Sequence, residues 1–231
     1  FDFRHEKESR KKGLIVFCAD KGLAGGYNNN IVKLAEERLK SFPDTVLFVA
    51  GYMGRRYFEQ NGYNVCQDFD YPVHDPTVRR AYYMTDFIIN LFRNEELDEV
   101  HLAYTYMHSS IKLEPRCIKL LPLDPEELMS ELGIEKDARL ENDFPIIYEP
   151  SPEAVLDILV QKYVKGILYG ALVEAFTSEQ SARMTAMDNA TSNADEMLYE
   201  LNLLYNRARQ AGITQEISEI VGGAAVLGKQ Q

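Results

Sequence analysis

The sequence predicts a three-layer α/β domain with a largely parallel sheet, followed by one long carboxy-terminal coiled-coil helix. Two observations carry this prediction. Short apolar runs of strand length alternate with segments of helical periodicity over the first 150 residues. Beyond them, residues 152–227 contain no proline after the first turn, and apolar positions recur at alternating steps of three and four. We therefore expect residues 1–150 to form the α/β domain and residues 151–231 to form the helix.

The first half of the domain reads as strand, helix, strand, helix and a weaker strand. The apolar runs 14–19 and 45–50 have the length and continuity of strands that are buried on both faces. Asn28 or Asn29 is expected to cap the first helix, whose inner face carries Ile31, Leu34, Ala35, Arg38 and Leu39. The second helix is predicted at 53–60, and the weaker strand at 63–67.

The second half of the domain contributes one helix and two strands. Asp75 and Pro76 resemble a cap followed by a first-turn proline, so a helix is predicted from there to about residue 94. Its expected inner face is Val78, Tyr82, Thr85, Ile88, Ile89 and Phe92. Strands are predicted at 100–106 and 116–123, the latter as a mixed-sheet edge. This alternation is typical of a Rossmann-like domain. Residues 124–142 are acidic and loop-like, and Ser151 and Pro152 mark the start of the long helix.

The composition excludes several classes of protein. The net charge of −11 argues against a nucleic-acid partner, because phosphate binding needs a surplus of Lys and Arg. Cys18, Cys66 and Cys117 are isolated, so neither a disulfide framework nor a metal site is indicated. No apolar run reaches about 18 residues, the length at which a membrane-spanning helix is suspected.

The long helix carries a heptad seam, whose members are Met187, Ala190, Ala194, Met197, Leu201, Leu204, Ala208 and Ala211. A sustained seven-residue repeat favours supercoiling around another helix. At 1.5 Å per residue the whole stretch could form a rod on the order of 110 Å long, which the α/β domain cannot cover. The seam therefore predicts a helical partner.

A glycine-rich loop, residues 20–26, lies between the first predicted strand and helix, where α/β proteins place phosphate-binding turns. Neither GxxxxGK[ST] nor GxGxxG is present, and glycine supplies tight-turn geometry without a ligand. A structural turn is favoured. The alternative is a free-standing enzyme that holds a nucleotide or phosphate at Gly22–Gly26. No catalytic, cofactor-binding or metal-ligating set of residues is identified.

Residues 213–226 resemble the carboxy-terminal signature of the gamma subunit of F-type ATP synthases. The matching positions are Ile213, Thr214, Glu216, Glu219, Gly223 and Ala224, whereas Val226 departs from the pattern. Residues 20–28 and 178–187 resemble segments of the same family, and the order and spacing of all three agree. The resemblance covers nearly the whole chain.

The resemblance implies a mechanical role. Members of this family are the central shaft that turns within a hexamer of alpha and beta subunits, coupling proton flow to ATP synthesis or hydrolysis without a cofactor or bond chemistry of their own. The family's subunit contacts carry over to six positions, here called the contact residues: Arg183, Arg209, Gln210, Thr214, Glu216 and Glu219.

Three further expectations follow from the family. The α/β domain would be the foot that touches the epsilon subunit and the membrane c-ring, which makes the protein a peripheral one at the cytoplasmic face of a bacterial plasma membrane. The seam would wind against the family's own amino-terminal helix, which this sequence lacks. A generic coiled-coil scaffold with an α/β head is the remaining alternative.

Overall fold

The computed structural model describes residues 11–42, 44–110, 112–123 and 152–227. The predicted acidic loop at 124–142 and the Ser151 cap lie outside these residues. The chain divides into two compact units, Phe1–Thr185 and Ala186–Gln231. The elements of the described part are β1 (Lys12–Phe17), α1 (Tyr27–Ser41), β2 (Val46–Ala50), α2 (Tyr52–Gln60), α3 (Val78–Arg93), β3 (Glu99–Met107), β4 (Leu113–Leu121) and α4 (Pro152–Leu227).

The four strands form one mixed sheet in the order β2-β1-β3-β4. β1 pairs in parallel with both β2 and β3, whereas β4 runs antiparallel to β3 at the edge. The prediction of a largely parallel sheet with a mixed edge is therefore confirmed. The weaker strand predicted at 63–67 forms only one isolated bridge, between Val65 and Leu47.

Alternate strand residues face opposite sides of the sheet, as the two-residue period of a strand requires. On one side, Leu14, Val16 and Val49 pack with Ile31 and Ala35 of α1. On the other side, residues of β1, β2 and β3 pack against α3 and the first part of α4 in a second cluster that includes Ile15, Phe48, Leu102, Ile88 and Leu168. Both faces are covered, which confirms the three-layer domain.

Two predicted helix caps are wrong. Gly26 precedes α1 without a side-chain cap, because the Asn28 side chain points back and accepts a hydrogen bond from the Ala19 N–H at 2.9 Å. Thr77, rather than Asp75, caps α3, and its hydroxyl oxygen accepts from the Arg80 N–H at 3.2 Å. Thr77 therefore takes the capping role at α3, whereas α1 begins without a side-chain cap.

The inner face of α3 is shifted from the prediction. Thr85, Ile88, Ile89 and Phe92 are buried as expected, together with Ala81 and Met84, which were not predicted. Val78 and Tyr82 are wrong, since each is 53% exposed. The helix begins only at Val78, so its first turn contributes little to the core.

Helix α4 is one element of 76 residues that belongs to both units. Within the first unit it packs on the sheet through Val160, Val164, Leu168, Leu172 and Ala175, all of them buried. In the second unit residues 187–222 are all exposed. The start of the long helix at Pro152 is confirmed, and the domain boundary at residue 150 stays a prediction.

Candidate functional site

The glycine-rich loop and the middle of α4 meet in the first unit. Three side-chain hydroxyls anchor this part of the helix to backbone carbonyls of other elements. Tyr27 donates to the Ala175 carbonyl at 3.0 Å, Ser178 donates to the Thr105 carbonyl at 3.2 Å, and Ser181 donates to the Ser110 carbonyl at 2.8 Å. The first two hydrogen bonds are buried, where a lost partner costs about 1–3 kcal/mol.

Arg183 and Glu179 complete this contact, and we call the pair, together with the carbonyls of Lys21 and Gly22, the loop clamp. The Arg183 guanidinium donates to the Lys21 and Gly22 carbonyls at 3.3 and 3.2 Å. It also donates to Glu179 Oε1 at 2.7 Å, an ion pair between residues four apart on the helix. The side chain of Glu179 is only 3% exposed and that of Arg183 is 22% exposed.

The Glu179 carboxylate is buried, and burial disfavours its charged form. Burial raises its pKa above the ordinary value, the nearby Asp20 carboxylate raises it further, and the Arg183 guanidinium opposes the shift. Its second oxygen, Oε2, is buried and has no hydrogen-bond partner among the described residues. Because a buried carboxylate needs a counter-charge, Arg183 is the group that keeps Glu179 compatible with the fold.

Asp20 fixes the other end of the loop. Its Oδ2 accepts hydrogen bonds from the Val73 and His74 N–H groups at 2.9 and 2.7 Å, and its Oδ1 accepts from the Tyr52 N–H at 3.2 Å. The His74 ring lies 2.7 Å away. Burial pushes the pKa of Asp20 upward, but these donors outweigh it and hold the pKa below the ordinary value.

The backbone geometry of the loop accounts for Gly25 without a ligand. Gly25 has a φ of +55°, a region that glycine enters at little cost. At Gly51, which faces the same end of β1, a Cβ atom would collide with the Cys18 carbonyl. The carbonyls of Lys21 and Gly22 point at Arg183, so this part of the loop presents acceptors rather than the N–H donors that a phosphate requires.

The contact residues do not gather at one place in the first unit. Arg183 belongs to that unit and is engaged in the loop clamp. The other five, Arg209, Gln210, Thr214, Glu216 and Glu219, lie in the second unit and are exposed. Two hydrogen bonds involve these residues within the described part of the helix: Gln215 donates to Glu219 at 3.0 Å, and Ser218 donates to the Thr214 carbonyl at 2.8 Å.

In the described ranges, no group of three or more His, Cys, Asp or Glu side chains is placed to hold a metal ion. Over the same ranges, no helix is long and apolar enough to cross a membrane. Burial raises the pKa of the Cys18 thiol to about 12, so this cysteine is a neutral core residue.

The model of the family described as ATP synthase matches residues 2–227. The chain belongs to the ATP synthase gamma-chain family. The ATP synthase gamma chain of Acetivibrio thermocellus is 53% identical over 227 residues, covering 98% of this chain and 77% of that protein. The ATP synthase gamma chain of Ruminiclostridium cellulolyticum is 55% identical over 231 residues, covering 98% of this chain and 76% of that protein.

The fold is also found in a solved rotor. In the cryo-EM structure of the Euglena gracilis mitochondrial ATP synthase rotor, rotational state 1, a chain of 15% identity matches with a TM-score of 0.64. The match covers 92% of this chain and 80% of that chain. At this identity the likeness concerns the fold alone.

Two of the three segments that resemble the gamma-chain family contact each other. Residues 20–28 form the glycine-rich loop and the start of α1, and residues 178–187 include the α4 side of the loop clamp. The sequence showed both segments but not their contact, because Lys21 and Arg183 are 162 residues apart. The one available signal was the spacing of Glu179 and Arg183, which predicts a helical ion pair. Tyr27, His74 and Ser181 carried no such signal.

Proposed function

We propose that this chain is the central rotor subunit of an ATP synthase, coupling proton translocation to ATP synthesis or hydrolysis by turning within a hexamer of alpha and beta subunits. The observation that carries the proposal is the exposure of residues 187–222, a continuous run of helix with many apolar side chains and no cover in the described chain. Membership in the gamma-chain family supports it. The chain itself makes and breaks no bonds in this role.

The loop clamp is the joint at which force passes between helix and sheet. A helix that transmits torque must not slip where it meets its foot. The core contacts of Leu168 and Leu172 resist separation from the sheet but not sliding, because hydrophobic contact is non-directional. The hydrogen bonds of Ser178, Ser181 and Arg183 are directional and fix the helix against both the loop and β3.

Two different stripes on the second unit serve two kinds of partner. Arg209, Ile213, Glu216 and Ile220 follow one another at steps of four, three and four, so they share one stripe of α4. At about 100° per residue, this stripe lies roughly a third of a turn from the end of the heptad seam. The seam is therefore free to pair with the amino-terminal helix of the family while Arg209 and Glu216 reach the alpha and beta subunits.

The remaining assignments rest on the family. The α/β domain is the foot, which contacts the epsilon subunit and the c-ring, and the assembly places the chain peripherally at the cytoplasmic face of the bacterial plasma membrane. Arg183 takes part in the loop clamp, so among the contact residues it acts by holding the helix to the foot rather than by touching the hexamer.

Reconstitution with purified alpha and beta subunits tests the proposal. The chain, supplied with the helix that completes the seam, is expected to raise the ATPase rate of the hexamer and to turn when a bead is attached to the foot. Arg209→Ala is expected to lower the coupled rate. Arg207→Ala is the matched control, because Arg207 has the same charge and exposure but lies about 160° around the helix from Arg209.

A different result would favour a free-standing enzyme. Calorimetric titration of the isolated chain with ATP, ADP and NAD is expected to show no heat. Micromolar binding that disappears in Lys21→Ala, together with a failure to assemble with the hexamer, would overturn the rotor assignment in favour of a nucleotide site in the glycine-rich loop.

A further inference from the structure

A groove between α3 and the first part of α4 is a cavity of the first unit that neither the fold nor the proposed rotor role uses. Its volume is about 210 Å³, large enough for a small organic ligand. Three cationic side chains line it, Arg93 from the last turn of α3 and Lys162 and Lys165 from α4, against one carboxylate, Asp86. A surplus of positive charge is unexpected on a chain whose net charge is −11.

The two lysines lack counter-charges in the described part of the chain. Neither Lys162 nor Lys165 takes part in a hydrogen bond or ion pair there. Asp86, the one acid in the groove, accepts a hydrogen bond from Asn90 at 3.4 Å. The lysines are three residues apart on the same helix, where like charges repel each other. An anion between them would remove this repulsion and meet several donors at once.

The other walls of the groove define the kind of anion. Gln161 and Tyr82 add neutral donors, and the apolar surface comes from Ile89 and Ile158. Tyr82 and Ile158 are each 53% exposed, so their apolar surface is available to a ligand at the rim. Pockets with an apolar lining and a few converging polar groups are typical small-molecule sites. Arginine and lysine together favour phosphate, which offers several acceptor oxygens.

We propose that the groove between α3 and α4 binds a phosphate monoester or diester that carries an apolar part, with Lys162 and Lys165 as its principal ligands. Two sources share this chemistry, a soluble organic phosphate and the headgroup of an anionic phospholipid. The proposal is independent of the rotor role, because none of the residues that line the groove belongs to the loop clamp, the heptad seam or the contact residues.

A second basic pocket in the same unit serves as a comparison, because its lysine already has a partner within the chain. Lys12, Arg38 and His101 line a cavity of only about 10 Å³, space for one water molecule. Lys12 is already paired with Glu99 at 3.0 Å and lies 3.3 Å from the centre of the Phe42 ring. Its charge is satisfied within the chain, and it needs no ligand.

The test uses the full chain and two probes. Calorimetric titration with phenyl phosphate reports a soluble phosphate that carries an apolar part, and co-sedimentation with phosphatidylglycerol vesicles, against phosphatidylcholine vesicles, reports a lipid headgroup. The test variant is Lys162→Gln with Lys165→Gln. The matched control is Lys33→Gln with Lys40→Gln, which removes the same charge from exposed positions of α1. Thermal unfolding of both variants shows whether the fold is intact.

The expected result is binding of at least one probe that weakens by about tenfold or more in the test variant and changes little in the control. A variant with Lys162→Arg and Lys165→Arg should keep binding, since it preserves the charge. Loss with phenyl phosphate identifies a soluble ligand, and loss with phosphatidylglycerol alone identifies a headgroup. No binding of either probe, or an equal loss in the test and control variants, would overturn the site.

Discussion

The two parts of α4 carry similar apolar residues, which are buried in the first unit and exposed in the second. In the first unit Val164, Leu168 and Leu172 are fully buried, each with 0% exposure. In the second unit Met197, Leu201 and Leu204 are 65%, 61% and 58% exposed. Apolar side chains at helical spacing therefore do not by themselves show whether the surface that covers them belongs to the same chain.

The finer spacing does distinguish the two parts. Val160, Val164, Leu168 and Leu172 follow steps of four, a row that winds slowly around a helix and suits a limited contact with a sheet. The heptad seam alternates steps of three and four, a repeat that stays on one side over many turns and suits a second helix. The period of a stripe, more than its hydrophobicity, therefore predicts the kind of partner.

The largest effect is expected from a pair of truncations, one in each part of α4. Leu168→Ala removes a fully buried side chain and should lower the free energy of unfolding by about 2–5 kcal/mol. Leu201→Ala, an identical change at an exposed position, should cost less than about 0.5 kcal/mol in the isolated chain. Urea unfolding followed by the near-ultraviolet circular dichroism of the tyrosines measures both. Equal losses would show that the two parts are not stabilised differently.

The next effect concerns the loop clamp. Arg183→Ala should lower the free energy of unfolding by about 1–3 kcal/mol, because Glu179 is 3% exposed and loses its counter-charge. Arg209→Ala, an exposed arginine of the second unit, is the matched control and should have almost no effect.

A compensating change sharpens this prediction. Glu179→Gln removes the buried charge, so the double variant with Arg183→Ala should recover part of the lost stability. If the double variant is as unstable as the sum of the two single variants, the cost lies in the hydrogen bonds of Arg183 to the Lys21 and Gly22 carbonyls instead.

A smaller, pH-dependent effect is expected at the other end of the loop. The folded-state pKa of Asp20 lies below its ordinary value of 3.8, so its charged form stabilises the fold above that pH. This stability is lost as the pH falls through the lower, folded-state pKa. Asp20→Asn should therefore cost about 1 kcal/mol at pH 7 and progressively less below pH 4. Urea unfolding of both proteins from pH 7 to pH 3 checks this. A gap that widens in acid would reverse the sign assigned to Asp20.

Much of the fold was predictable because it depends on local pattern. The continuous apolar runs of β1 and β2 specify buried parallel strands, and the breaks at Pro152 and Gly51 specify helix starts. The two cap predictions were wrong for different reasons: Thr77 caps α3 in place of Asp75, and the Asn28 side chain bonds the Ala19 N–H instead of capping α1. The prediction that Tyr82 is buried was wrong because helical spacing does not show where the covering layer ends.

The candidate site was less accessible to sequence analysis. Its segments were found through the family resemblance, but the contact of Arg183 with Gly22 spans 161 residues and depends on how α4 crosses the sheet. Non-local polar contacts leave no periodic trace in a sequence. The groove of Lys162 and Lys165 was not predicted for the same reason, because its third cation, Arg93, comes from another helix.

The smallest effect on the isolated chain is expected from Leu201→Asp. Leu201 is 61% exposed, so the charge lies in water and the thermal unfolding of the first unit should not change. With a peptide of the partner helix present, the same carboxylate would enter an apolar seam, and pairing should be lost by circular dichroism titration. Glu200→Asp, a neighbouring control, should leave pairing intact. Because burial at the seam exists only in the paired state, a variant that unfolds the first unit on its own would show that α4 is one cooperative element, and the contrast between its two parts would disappear.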